Sequence, residues 1–257
     1  MSELPALDPS ILLLGGTADA NRLAEALVER FGPGSIIFSL AGRTETPRMP
    51  ADVEIRVGGF GGASGLAAFL IEHRIDLLID ATHPFAAGIA RNAAKAADEA
   101  GVRRVKLMRP PWTAKAGDDW RQVSCLAEAR DALPPGARPF LALGRQHLSP
   151  FMKRQDLRPL ARMIERPDPP LPDHWTLVLT RPSPEWPDEA ELMERHGVTY
   201  LVSRNSGGTA SYAKIEAARR LGLPVVMIER PSSVPGETAT NIEEVMARLE
   251  TRPAART

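Results

Sequence analysis

The sequence predicts an α/β fold with two sheets of mainly parallel strands, each wound on both faces by helices. Three observations carry that reading. Short apolar runs alternate with amphipathic stretches along most of the chain. The connections between them are short and often contain glycine, as repeated β–α–β units require. The alternation pauses at Pro134-Pro-Gly136 and then resumes, which divides the chain into two halves.

The first half opens on Ile11-Leu-Leu-Leu14, a strand buried on both faces because no polar residue interrupts the apolar ones. Gly15 and Gly16 turn the chain into a helix from about residue 18 to 30, with Leu23, Ala24 and Leu27 on one face. Strands follow at 35–40 and 53–57, then a glycine loop at 58–62 and a helix to about 73. Residues 75–79 form a buried strand. Thr82 is placed to cap the next helix, with Pro84 in its first turn. Phe85, Ile89, Ala93 and Ala97 recur along that helix until Gly101 stops it. A strand at 103–107 follows, Arg109-Pro-Pro-Trp112 breaks regular structure, and a short strand and helix fit 121–133.

In the second half, strands are expected at 139–143, 157–164, 175–179, 199–202 and 224–228. Helices fit 189–196, the stretch that turns Tyr212, Ile215 and Leu221 inward, and 241–250. Asp188, Glu189, Glu191 and Glu194 read as a solvated acidic face, and residues 251–257 as a disordered tail. Two domains follow from this division, 1–135 and 136–257.

A chain of 257 residues suffices for two such cores. Lys and Arg number 32 and Asp and Glu also 32, so global charge gives no argument for nucleic acid or an anionic membrane. The single Cys125 excludes an internal disulfide and a cysteine-based zinc cluster, and no metal is expected. Residues 1–10 lack a basic and then apolar leader, and no apolar run approaches the roughly 20 residues of a membrane helix. A soluble, cytoplasmic protein, monomeric or weakly oligomeric, is the expectation. Gly-x-Ser-x-Gly, His-Glu-x-x-His and Walker patterns do not occur, which argues against a nucleophilic hydrolase, a zinc protease and a P-loop ATPase.

Ligands of open parallel sheets sit beyond the carboxyl ends of the strands. Glycine, hydroxyl and arginine recur there. Gly15, Gly16, Thr17 and Ala18 join a strand to a helix N-terminus, where free N–H groups and the helix dipole favour a phosphate. The spacing departs from G-x-G-x-x-G, and an ordinary turn explains the same residues. Gly42, Arg43 and Thr44 follow the second strand, where an acid would hold the ribose 2′-hydroxyl of NAD and an arginine accommodates a 2′-phosphate. Arg43 therefore favours NADPH over NADH. It also counts against an S-adenosylmethionine methyltransferase, which would place an acid there. Asp80, Thr82 and His83 follow a buried strand, and His83 is the candidate proton donor, with water its competitor. In the second half, Arg145, Gln146 and His147, then Arg181, then Arg204, Asn205, Ser206, Gly207 and Gly208 supply cations and N–H donors suited to carboxylates.

In order along the chain, Ile11-Leu-Leu-Leu-Gly-Gly-Thr17, Ser39-Leu-Ala-Gly-Arg-Thr44, Asp80-Ala-Thr-His-Pro-Phe-Ala86, Leu143-Gly-Arg-Gln-His-Leu148 and Ser203-Arg-Asn-Ser-Gly-Gly208 resemble the precorrin-6A reductase family of cobalamin biosynthesis. The resemblance implies two Rossmann-like domains with an active-site cleft between them. It implies hydride transfer from NAD(P)H to C19 of a tetrapyrrole that carries many acetate and propionate side chains. On it, the first domain holds NADPH and the second the substrate. Two alternatives stand beside this: a cobalt-precorrin-6A reductase using NADH, and a non-catalytic dinucleotide- or tetrapyrrole-binding module.

Overall fold

A computed structural model describes residues 9–42, 52–209 and 211–250. Arg43, Thr44 and the tail 251–257 lie outside them. The chain begins as the sequence predicts, with β1 (Ile11–Leu14), α1 (Ala18–Phe31), β2 (Ile36–Leu40), β3 (Glu54–Val57), α2 (Ala63–Glu72), β4 (Leu77–Asp80), α3 (Ala87–Ala100) and β5 (Arg103–Leu107). It continues with β6 (Trp120–Val123), α4 (Leu126–Asp131), β7 (Pro139–Ala142), β8 (Leu160–Met163), β9 (Thr176–Leu179), α5 (Trp186–Arg195), β10 (Tyr200–Arg204), α6 (Ala213–Arg220) and β11 (Val225–Ile228). It closes with β12 (Glu237–Ala239) and α7 (Ile242–Glu250).

Two six-stranded parallel sheets result. The first runs β3-β2-β1-β4-β5-β12 and the second β9-β8-β7-β10-β11-β6. Each is the doubly wound order of a dinucleotide fold, with the switch between β1 and β4 in one and between β7 and β10 in the other. The sixth strand of each sheet comes from outside its own run of strands. β6 precedes β7 in the chain and pairs with β11; β12 follows β11 and pairs with β5. The units are accordingly residues 1–109 with 232–257, and residues 110–231. This differs from the expected division at 135/136, because Pro134-Pro-Gly136 is a turn inside the second unit and both crossings lie elsewhere. The closing helix, expected with the second half, packs Val245 into the core of the first unit.

Alternation within β1 builds both layers of that unit. Ile11 and Leu13 face Leu23, Leu27 and Val245, whereas Leu12 and Leu14 face Leu66, Leu70, Ala93 and Ala97. In the second unit, Phe140, Leu201, Val225 and Met227 pack on Met193 of α5 and Ile215 of α6.

Two helix starts depart from expectation. α3 begins at Ala87 behind Ala86, without a side-chain cap, so Thr82 is not its N-cap and Phe85 stands before it. α5 begins a turn early, with Pro187 in its first turn, where a missing N–H costs nothing. Its acidic face is also not wholly solvated. Glu189 is buried and its Oε1 accepts from Arg162 at 2.6 Å and from Ser183 N at 2.8 Å.

Each crossing is fastened to one unit. The outgoing strand is held by Asn205, whose Oδ1 accepts from Trp112 N at 2.7 Å and whose Nδ2 donates to Trp112 O at 2.9 Å. Arg230 adds a bond to Pro110 O at 3.2 Å. The returning strand is held by Arg104, which donates to Pro235 O at 2.7 Å, and by a two-point pair of Arg103 with Glu237 at 2.9 and 2.7 Å.

Candidate active site

The switch point of the first sheet gathers the residues after β1 and β4. Gly15 and Gly16 have different reasons to be glycine. A Cβ on Gly15 would lie 2.3 Å from the Phe38 ring, so Gly15 is required by packing beneath the turn. Gly16 has φ +100° and open space where a Cβ would stand, so its backbone is uncovered at the mouth of α1. This is the surface a phosphate needs. Thr17 caps α1 by accepting from Ala20 N at 3.0 Å, and Ala18 is the first residue of the helix. The Thr17 hydroxyl donates to Ala81 O at 3.0 Å, which ties the β1 turn to the β4 turn.

Asp80 ends β4 with no exposed surface. In the parallel register it stands opposite Lys106 of β5. Its Oδ2 accepts from Lys106 Nζ at 2.7 Å, while Oδ1 accepts from the Thr82 hydroxyl at 2.6 Å and the Thr82 N–H at 3.1 Å. The β4 turn and strand β5 are thus joined through one buried carboxylate. His83 follows in the same loop. Its Nδ1 accepts from Phe85 N at 3.2 Å, which places the hydrogen of the neutral ring on Nε2.

A recess of about 190 Å³ opens among these strand ends. Thr17 and Asp19 border it from α1, Ala81, Thr82 and Pro84 from the β4 turn, and Leu107 and Arg109 from the end of β5. Asp19 pairs with both Arg22 and Arg109. Burial raises its carboxyl, but the two guanidinium hydrogen bonds outweigh it and hold the group below the usual carboxylate range. Sequence reasoning missed Asp19, Lys106 and Arg109. Asp19 lay in the first turn of α1, and Arg109 two residues past a strand end, inside a stretch set aside as a breaker.

On the β2 side, Gly42 has φ +69° and a Cβ there would meet Val57 at 3.1 Å. Arg56 lies over the Phe60 ring at 3.7 Å and donates to Gly58 O at 2.7 Å and Gly59 O at 2.9 Å. The glycine loop after β3 is therefore pinned at its start.

The second unit repeats the arrangement at its own switch point. Arg145, Gln146 and His147 form a short 3-10 turn after β7, with Arg145 and Gln146 exposed. Arg204 ends β10, and burial pushes its guanidinium down to about 10. The structure brings these two loops to neighbouring strands, β7 and β10. Arg181 is exposed and follows β9, the far edge strand.

The rest of the Ser203–Gly208 stretch does structural work. Both ends of the Asn205 amide are engaged by Trp112, and Gly208 O accepts from the Trp112 indole at 2.7 Å. Ser206 is buried, and a Cβ on Gly207 would lie 2.1 Å from Pro110 O. The anion cradle read there is, over Asn205, Gly207 and Gly208, a seat for the outgoing strand.

Comparison with known proteins bears on this arrangement. Residues 10–250 match the family model described as precorrin-6x reductase CbiJ/CobK. Precorrin-6A reductase of Rhodococcus erythropolis is 45% identical, over 94% of this chain and 97% of its own. Cobalt-precorrin-6A reductase of Priestia megaterium is 31% identical, over 93% and 97%. A solved structure titled CobK precorrin-6A reductase superposes with TM-score 0.88 at 41% identity, covering 93% of this chain and 95% of its own. With the family model spanning nearly every described residue and the two-sheet fold shared, the chain belongs to the precorrin-6x reductase family.

Proposed function

We propose that this protein reduces precorrin-6A to precorrin-6B, with NADPH as reductant and C19 as the carbon that receives the hydride. The observation that carries the reading is the switch point of the first sheet. An uncovered Gly16 backbone at the N-terminus of α1 adjoins a recess built from the ends of β4 and β5. The metal-free substrate is favoured by similarity, since the 45% relative is named for precorrin-6A and the 31% relative for its cobalt form.

The first unit is read as the cofactor unit. Gly15, Gly16, Thr17 and Ala18 take the diphosphate, Gly42, Arg43 and Thr44 the adenosine ribose, and Asp80, Thr82 and His83 border the nicotinamide. When bound, the reduced nicotinamide supplies the hydride. The chain's own part is to fix orientation and charge. The Asp80–Lys106 pair sets the β4 turn, and Thr17 locks that turn to the helix mouth. The second unit is read as the substrate unit. Arg145 and Arg204, with Gln146, His147 and Arg181, meet the acetate and propionate carboxylates. His83, with Nδ1 accepting from Phe85 N and its ring hydrogen on Nε2, serves as a hydrogen-bond donor rather than as the acid, and the proton that completes the reduction comes from water.

The test is turnover of precorrin-6A followed by loss of nicotinamide absorbance and by the macrocycle spectrum, with NADPH and with NADH. NADPH is expected to be preferred, and Arg43→Ala to weaken NADPH at least tenfold while leaving NADH within about twofold, the scale of a lost charge-assisted contact. Unchanged spectra with both ligands bound would sink the reductase reading. Equal losses for the two cofactors would remove the 2′-phosphate role of Arg43.

A further inference from the structure

We infer that the Thr82 hydroxyl is the specificity contact for the carboxamide of the nicotinamide ring, and that the buried Asp80–Lys106 pair sets its polarity. The inference rests on the dinucleotide reading above and deepens it. In a doubly wound sheet the adenosine ribose is read after β2, on one side of the switch point. The other half of the dinucleotide therefore lies on the β4 side, where the recess opens. A hydroxyl carries one hydrogen and two acceptor sites. The Thr82 hydrogen goes to Asp80 Oδ1 at 2.6 Å, so Thr82 faces the recess as an acceptor. Thr17 both donates and accepts within the protein, and Asp19 and Arg109 are paired with each other. One acceptor site of Thr17 stays open as well, but among the described residues Thr82 is the hydroxyl in that wall whose oxygen accepts from no protein donor. The carboxamide carries an N–H from which it can accept.

Asp80 acts through Thr82 and is a positioning residue. Lys106 Nζ offers only donors to Asp80 Oδ2, at 2.7 Å. In the variant Asp80→Asn, the new amide would have to turn its oxygen to Lys106 and its NH₂ to Thr82. The Thr82 hydroxyl would then accept from that NH₂ and release its own hydrogen toward the recess, while the Thr82 backbone N–H would lose its acceptor at Oδ1. Asp80→Asn should therefore invert the preference from an N–H donor to an acceptor.

The experiment measures the Kd of NADP⁺ and of its 3-acetylpyridine analogue, in which a methyl replaces the carboxamide NH₂, by calorimetry on the full chain. The wild type should bind the amide about five- to tenfold more tightly, the scale of one hydrogen bond. Thr82→Ser should keep that ratio, Thr82→Val should bring it to about one, and Asp80→Asn to one or below. The nicotinic-acid analogue, which presents only acceptors, should gain relative to NADP⁺ in Asp80→Asn. A loss of packing alone would weaken all three dinucleotides together and leave the ratios as in the wild type, and that result in a folded Thr82→Val overturns the inference. Absence of any dinucleotide binding by the wild type overturns the cofactor reading and this inference with it. Binding with a wild-type ratio of one overturns the inference alone.

Discussion

A chain ending at Pro231 is expected to lose the fold of its first unit while the second unit remains structured. The deletion removes β12, which covers the edge of β5, and α7, whose Val245 is fully buried. Ala239 goes with it, as do the partly buried Ile242, Met246 and Leu249 that pack on the same cluster. Each large apolar side chain contributes roughly 1.5–3 kcal/mol when fully buried. The deletion also strands Arg103 and Arg104 beside an exposed strand edge, without Glu237 and Pro235. Together these losses are comparable with the roughly 5–15 kcal/mol by which a whole domain is stable. Hydrogen exchange read by mass spectrometry checks it. Residues 9–109 should lose protection and residues 110–231 should keep it. Retained protection across β1, β4 and β5 would show that the exchanged strand and helix are dispensable.

Lys106→Met should destabilise the first unit by about 3–5 kcal/mol, because it leaves the fully buried Asp80 carboxylate without its cation. That corresponds to a fall of roughly 10–20 °C in the first unit's transition. The double variant Asp80→Leu with Lys106→Met should recover most of the loss, since an apolar pair of similar volume avoids the desolvation of two ions. It should not recover dinucleotide selectivity, because Thr82 would lose the acceptor that fixes its hydrogen. Calorimetric unfolding of both variants separates the two roles. A Lys106→Met protein as stable as the wild type would mean that the pair does not hold the β4 turn.

The opening β1–α1 unit was legible because its information is local. Four apolar residues, two glycines and an amphipathic helix follow one another in the chain. The exchange of sixth strands was not, because nothing in Trp120–Val123 or Glu237–Ala239 encodes which sheet edge the strand joins. That choice is made by tertiary pairing and by clips between residues far apart, such as Arg103 with Glu237. The strand-end rule anticipated that the described candidates would follow the carboxyl ends of β1, β2, β4, β7, β9 and β10. It did not separate roles. Gly15 and Gly16 look alike in sequence, yet one serves Phe38 and the other leaves backbone uncovered. Asn205 looked like a ligand donor because its amide was unassigned, and its partner Trp112 lies far earlier in the chain. Lys106 resembled an ordinary polar residue of a strand until the register set it against Asp80. Arg43 and Thr44 lie outside the described residues.

On the proposed function, hydride passes from a dinucleotide held by the first unit to the precorrin macrocycle. Single-turnover reaction with NADPH carrying deuterium at one face of C4, followed by mass spectrometry and NMR of the product, tests it most directly. One of the two stereoisomers should deliver a single deuterium to C19 and the other none. Solvent-derived hydrogen at C19 from both isomers would contradict direct transfer, and with it the assignment of the first unit as the hydride donor's site.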